Sequence, residues 1–245
     1  MSEAMDLSPD EVRARRKKAV ALGYRLLAAQ RWGDLGDGHI SARDPERPDC
    51  FWMLRYGVSY HRARVADLVL VGPDGSLADG EGGINVAAYY IHAPILAARP
   101  DAVSACHVHT TWGTPFSAEV RPIEPISQES CIFFEDHAIF DDEEVQVQSV
   151  EGGKRIAEAL GPHRAVILRN HGLLTVGDSV EEAVGSFVHM ERVAEVHMKA
   201  PAAKPISAEA ARYAQADMRS YGPGRIAFFN LVLRHIADPD EVLVG

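Results

Sequence analysis

"SACHVHTTWG", residues 104–113, places two histidines two positions apart behind an apolar run. The segment "AVSACHVH", 102–109, reads as a strand. Side chains at i and i+2 of a strand share a face. His107 and His109 therefore project together, at the C-terminal end of their strand, while Cys106 turns to the opposite face and reads as core. Imidazole is the commonest protein ligand for first-row metals. Two such groups on one strand supply two positions of a site, and a third ligand must come from elsewhere. "AVILRNHGLLTVG", 165–177, offers one, with two buried strand segments around a turn at Asn170-His171-Gly172. Neither signal identifies a metal site by itself.

The bulk composition narrows the field. The chain has 245 residues, 47% apolar and 24% charged, enough for a substantial core. A net charge of −10 argues against a nucleic-acid partner, which needs clustered Lys and Arg. The one basic cluster, "RARRKK" at 13–18, lies on an expected helix and reads as a solvated face. No apolar run approaches the roughly 18–20 residues of a membrane span. The polar, acidic start "MSEAMDLSPDE" does not read as a signal peptide. Cys50, Cys106 and Cys131 are few and widely spaced, as expected of reduced thiols. The expectation is a cytoplasmic protein without a membrane.

Outward from the histidines, the chain alternates strands and helices. Ser8-Pro9-Asp10-Glu11 is a helix start, followed by a helical pattern through Val12, Val20, Leu22, Leu26 and Leu27 to Arg31. "GDLGDGH" is a glycine-rich loop, and "HISARD", "CFWML" and "DLVLVG" read as strands. A helix over about 84–98 contains Pro94, which should kink or shorten it. "CIFFEDHAIFD" reads as strand-like, "EGGKRIAEALG" as a short helix ended by Gly161, and "SVEEAVGSFVHMERVAEVHMKA" as a long helix with a capping box of Ser179 and Glu182. A loop at 200–207, a further helix and an irregular tail containing "IAFFNLVLRHI" complete the chain. One α/β domain over 1–204 with an extension over 205–245 is the simplest division.

"ARPDAVSACHVHT", 98–110, followed by "AVILRNHGLLTVGDSVEEAV", 165–184, resembles the class II aldolase/adducin family, which includes the fuculose-phosphate and ribulose-phosphate aldolases. The resemblance runs from the first helix to about residue 200. It implies an α/β/α three-layer sandwich around a mainly antiparallel central sheet. It also implies one divalent metal ion per subunit on His107, His109 and His171, zinc by resemblance with iron, manganese or cobalt as alternatives. A homotetramer with sites at the clefts between subunits is implied as well.

The sequence departs from the sugar-phosphate aldolases where they bind phosphate and move protons. Where those enzymes carry two serines and a glutamate, this chain has Val86, Ala87 and Ala88. Their Ser-Gly loop reads Arg55-Tyr56-Gly57, and their Gly-Asn-x-Ser motif reads Gly38-His39-Ile40-Ser41. A phosphate dianion needs several donors or positive charges, and proton abstraction beside a carbonyl needs a positioned base. The losses together point away from sugar phosphates. Decarboxylation remains open, because carbon dioxide leaves in place of a proton.

Several other residues become candidates. "SQESCIFFEDHAIFDD", 127–142, resembles a segment of the family's non-sugar branch. Its His137 is the candidate acid/base, and Gln128 a candidate substrate donor at a subunit boundary. His39, Ser41 and Tyr56 are candidate substrate contacts, the imidazole and phenol suiting a carboxylate or an aryl ring. His92, one turn after Ala88, is placed either toward the cleft or in the core. Glu129 and Glu135 are possible replacements for the lost glutamate, and Trp112 a possible pocket wall. Tyr89 and Tyr90 read as core, and His189 and His197 as surface or interface groups. The sequence thus predicts a metal-dependent lyase that cleaves a carbon–carbon bond, aldol or decarboxylative, in a small non-phosphorylated oxo- or hydroxy-acid. The alternatives are a non-heme iron oxygenase of 2-oxo or 2-hydroxy aryl acids, and a non-catalytic adducin-head-like interaction protein.

Overall fold

The structure is a computed structural model that describes residues 7–33 and 35–244. The polar start at 1–6 and Asp34 of the glycine-rich loop lie outside the described residues. Helix α1 (Pro9–Ala29) begins with a complete capping box between Ser8 and Glu11. Strands β1 (Gly38–Arg43), β2 (Phe51–Leu54), β3 (Leu68–Val71) and β4 (Leu77–Asp79) follow, then α2 (Val86–Ala98), β5 (Ser104–Val108) and the short α3 (Gly113–Ala118). Next come β6 (His137–Phe140), α4 (Val150–Leu160), β7 (Ala165–Leu168), β8 (Gly172–Gly177), α5 (Val180–Lys199), α6 (Ala208–Arg219) and α7 (Pro223–His235).

The strands form one eight-stranded sheet in the order β4-β3-β2-β1-β5-β8-β7-β6, antiparallel except for the β6–β7 pair. Period-two alternation divides its side chains between two cores. Ile40, Trp52, Leu54, Leu70, Cys106, Ile167 and Leu173 meet α1, α5 and α7 on one face. Phe51, Met53, Val69, Val71, Ala105, Val166 and Leu174 meet α2 and α4 on the other. These are the three layers that the sequence resemblance implies.

Pro94 neither ends nor shortens α2, which runs through it for 13 residues. Proline removes the N–H that would bond the Tyr90 carbonyl. The neighbouring helix α4 reaches that spot with Gly153. A Cβ at Gly153 would lie only 1.7 Å from the Tyr90 oxygen. The absent side chain lets two backbones touch and fixes the spacing of this layer. Gly185 of α5 makes the equivalent approach to Gly224 of α7.

Four other readings are corrected. "CIFFEDHAIFD" is a 3-10 turn at Glu129–Phe133 followed by the short β6. "IAFFNLVLRHI" is not irregular but belongs to α7, started by Pro223 and packed through Phe228, Leu231 and Val232. The basic cluster at 13–18 is only partly solvated. Arg13 pairs with the buried Asp44, Arg16 donates to the Arg43 carbonyl at 2.7 Å, and the Lys17 ammonium lies 3.9 Å from the Trp52 ring. At α5, Ser179 accepts the Glu182 N–H as expected, but the Glu182 carboxylate turns to α7 and accepts the Arg225 N–H at 3.0 Å.

Gly153→Ala is expected to destabilise the protein by about 2–3 kcal/mol through overpacking of the α2–α4 crossing. Urea unfolding reads this directly, and an unchanged midpoint would show that the two helices separate freely.

Candidate metal centre

The pairing of β1 with β5 builds the wall of the site. Its register sets His39 opposite His107 and Ser41 opposite Ala105, all on the α2 side of the sheet. β5 ends at Val108, and His109 follows directly, its N–H donating to the Asp37 carbonyl at 3.1 Å. Glu191 of α5 holds the next residues. Its carboxylate accepts the Trp112 N–H at 2.9 Å and the Gly113 N–H at 2.7 Å. Burial pushes this carboxyl up, with the bonds from Thr110, Trp112 and Gly113 opposing. On the other side, Asn170 takes the left-handed backbone conformation, φ 55°, that asparagine tolerates better than most residues. The tight turn brings His171 back toward β5.

His107, His109 and His171 converge. Their ring centroids are 4.7 to 5.2 Å apart, and one ligand atom from each lies within 4.8 Å of the others. His107 donates Nδ1–H to the Leu173 carbonyl at 2.7 Å. That bond assigns the tautomer and leaves the Nε2 lone pair free. Nε2 is buried and has no hydrogen-bond partner among the described residues. Burial holds the His107 and His171 pKa values down, with neighbouring histidines adding to the effect, and His171 falls to about 4. Burial lowers His109 also, against the pull of Asp37. The three rings are neutral near pH 7, the state in which imidazole ligates a metal. An orphaned buried nitrogen among three neutral imidazoles fits a divalent ion.

The cleft above the triad has a volume of about 360 Å³. Its walls include Asn85, Ala87, Ile91, Val145, Gln146 and Val147, and among the described residues contain no Lys or Arg. Among the described residues Asp37 is the one acid in the lining, with Oδ2 3.9 Å from His109 Nδ1 and a buried Oδ1 that has no partner. The sequence reading passed over Asp37 as part of a glycine-rich loop. Its position two residues before His39 was the available signal.

His39 lines this cleft and also the neighbouring cavity that contains Tyr56. Tyr56 is largely exposed. Ser41 and His92 are buried behind His39 and bonded to each other at 2.6 Å. Ala88 is fully buried.

Other candidates lie elsewhere. His137 sits at the start of β6 opposite Ala165, whereas His171 follows the far end of β7. Both its ring nitrogens are engaged, Nδ1 with the Phe133 carbonyl at 2.7 Å and Nε2 with the Ile123 N–H at 2.9 Å. It ties backbone segments together in this chain. Gln128 and Glu129 line a separate groove against α5 and α7. Glu135 is paired with Arg212 on the surface. Trp112 lies under the Lys199 ammonium, outside the cleft lining. His197 is buried, not superficial, and bonds the Val193 carbonyl and the Glu124 N–H. His189 is half-buried, with Nε2 against the Pro223 carbonyl.

The sequence model of the Class II Aldolase and Adducin N-terminal domain matches residues 18–198. The chain belongs to this family. A 4-hydroxy-3-prenylphenylpyruvate oxygenase/4-hydroxy-3-prenylbenzoate synthase of Streptomyces roseochromogenus subsp. oscitans is 39% identical over 188 residues, 75% of this chain and 68% of that one. A protein named Decarboxylase NovR from Streptomyces niveus is also 39% identical, over 75% of this chain and 70% of its own. Among solved structures, an L-fuculose 1-phosphate aldolase from Glaciozyma antarctica PI12 superposes with a TM-score of 0.89. It is 29% identical, with 99% of this chain and 97% of that one covered.

Two outcomes are expected. His137→Ala should keep its metal content and lose only stability, by about 1–3 kcal/mol for two broken part-buried hydrogen bonds. Loss of metal would restore a role for His137 at the site. The buried histidines also set a pH dependence. Burial lowers His92 to about 3 and His171 to about 4, against about 6.5 in an unfolded chain. Between those values the unfolded chain binds protons that the folded chain does not. Stability of the metal-free protein should therefore fall as pH drops below about 6.5. Urea midpoints measured from pH 7.5 to 4.5 test this, and a flat profile would contradict neutral buried rings.

Proposed function

We propose that this chain is a lyase that cleaves a carbon–carbon bond in a small non-phosphorylated oxo- or hydroxy-acid, by loss of carbon dioxide or by aldol cleavage. His107, His109 and His171 would hold one divalent ion. When bound there, such an ion supplies a Lewis acid for the oxygens of the acid substrate.

The observation that carries this reading is the chemistry of the cleft wall. A phosphate dianion would meet no cationic side chain among the lining residues. Arg55, in the loop that corresponds to the aldolase Ser-Gly loop, is already engaged with Asp67. Ala87 and Ala88 offer neither a donor nor a base. Three neutral ligands add no negative charge beside an anionic substrate, so a carboxylate is tolerated there. Ala87, Ile91, Val145 and Val147 give the cleft an apolar wall. Asp37, beside His109, brings a carboxylate to the lining that is suited to accept a hydrogen bond from a substrate hydroxyl. Decarboxylation suits a site with so few bases. The carboxylate leaves as carbon dioxide, the electron pair stays on the adjacent carbon, and one proton must then be delivered.

A second reading is an iron-dependent oxygenase of a 2-oxo or 2-hydroxy aryl acid. It is favoured by the name of the Streptomyces roseochromogenus relative and by the suitability of three neutral imidazoles for Fe(II) as well as for Zn, Mn or Co. A homo-oligomer belongs to both readings. Ile226, Phe229 and Leu233 leave an apolar stripe of α7 exposed, as an interface would require.

Protein purified without chelator under low oxygen should carry about one metal ion per chain, bound through the three histidines, and His171→Ala should lose it. Mass spectrometry of the metal content is then paired with turnover of 2-oxo and 2-hydroxy acids. Carbon dioxide release without oxygen uptake supports the lyase. Stoichiometric oxygen uptake moves the assignment to the oxygenase. A wild-type protein that takes up no metal even after reconstitution would leave the non-catalytic scaffold.

A further inference from the structure

Behind the cleft, three buried side chains form a single file. The Ser41 hydroxyl lies 2.6 Å from His92 Nδ1, and His92 Nε2 lies 2.6 Å from His39 Nδ1. All three are at most 4% exposed. His39 stands at the end of the file, on the wall of the cleft, with its ring centroid 5.0 Å from that of His107.

Hydrogen accounting gives the file a direction. Each neutral imidazole has one N–H and one lone pair. If His39 donated to His92, His92 would donate to Ser41. The Ser41 hydroxyl hydrogen would then need another acceptor, and none is present among the described residues. Burying a donor unsatisfied is costly. In the opposite direction both hydrogens inside the file have a partner, and the one left over stands at the cleft wall instead of behind it. Ser41 donates to His92 Nδ1, His92 donates Nε2–H to His39 Nδ1, and His39 is left with its hydrogen on Nε2. No protein partner of Nε2 is present among the described residues.

We infer that Ser41 and His92 are positioning residues that fix the His39 tautomer, and that His39 presents Nε2–H to the cleft as the donor for a carboxylate or oxyanion of the substrate. This rests on the acid-substrate reading above and names the group that recognises the acid. A nitrogen that carries hydrogen has no lone pair in the ring plane, so His39 is not a fourth metal ligand. The same donor is matched to an oxygen on which negative charge grows as a carbon–carbon bond breaks.

The test uses the zinc-loaded full chain, with oxalate as the probe of a small acid. Zinc content, oxalate affinity by calorimetry and the histidine tautomers by long-range proton–nitrogen correlation of 15N-histidine-labelled protein are measured together. His39→Ala should keep its zinc and bind oxalate about 10- to 100-fold more weakly, the usual effect of losing a hydrogen bond to a charged group. Ser41→Ala should keep its zinc, weaken oxalate about 3- to 10-fold, and turn the single Nε2–H form of His39 into a mixture. That spectral change is one that a merely structural role for Ser41 would not produce. The inference is overturned if wild-type His39 carries its hydrogen on Nδ1, if His39→Ala loses zinc, or if oxalate affinity is unchanged in His39→Ala. Wild-type protein that holds zinc but ignores oxalate also overturns it. Failure of the lyase reading would show separately, as an absence of turnover with oxalate binding and tautomer intact.

Discussion

The hydrogen bond from His107 Nδ1 to the Leu173 carbonyl, 2.7 Å long, is the constraint on which the site depends. It crosses from β5 to β8 at the centre of the sheet, so it forms only when those strands are in their proper register. It decides which nitrogen of His107 is bare, and the bare nitrogen is buried where no donor among the described residues reaches it. A buried acceptor without a partner is a cost to folding. A bound cation would remove that cost. The ligand set is thus a property of strand pairing as much as of residue identity.

The surrounding layers serve this geometry. Gly153 against the Tyr90 carbonyl sets the spacing of α2 and α4, and Asn85 caps α2 by accepting the Ala88 N–H. The start of α2 is thereby fixed over β1, which places His92 within bonding distance of both Ser41 and His39. Glu191, from the opposite layer, fastens the chain just beyond His109. Each imidazole of the cleft is held by an element whose own position is set by packing elsewhere. This is the supporting shell that an accurately placed site requires.

The legible parts of the sequence were those governed by short periods. Alternation along β5 placed His107 and His109 on one face and Cys106 on the other, and Asn-His-Gly announced a turn that returns His171. The Ser41–His92–His39 file was not legible as a unit. His92 could be placed near the cleft from its helical spacing, but its partners depend on how α2 crosses β1. Asp37 was hidden by its glycine neighbours. His137 stood between an acid and an apolar strand, a pattern that suits catalysis, yet its ring serves two backbone groups. Helix α7 was missed because Ile226, Phe229 and Leu233 are exposed while Phe228, Leu231 and Val232 are buried. Apolar residues on both faces erase the 3.6-residue period on which a helix reading relies.

The most direct measurement is a crystal structure of the metal-loaded protein with data collected at the absorption edge of the bound ion. The account predicts one strong anomalous peak per chain, about 2.1 Å from His107 Nε2, with His109 and His171 completing the protein ligands and the Leu173 carbonyl still bound to His107 Nδ1. A peak elsewhere, ligation through His107 Nδ1, or no peak in protein that has been given metal would contradict it.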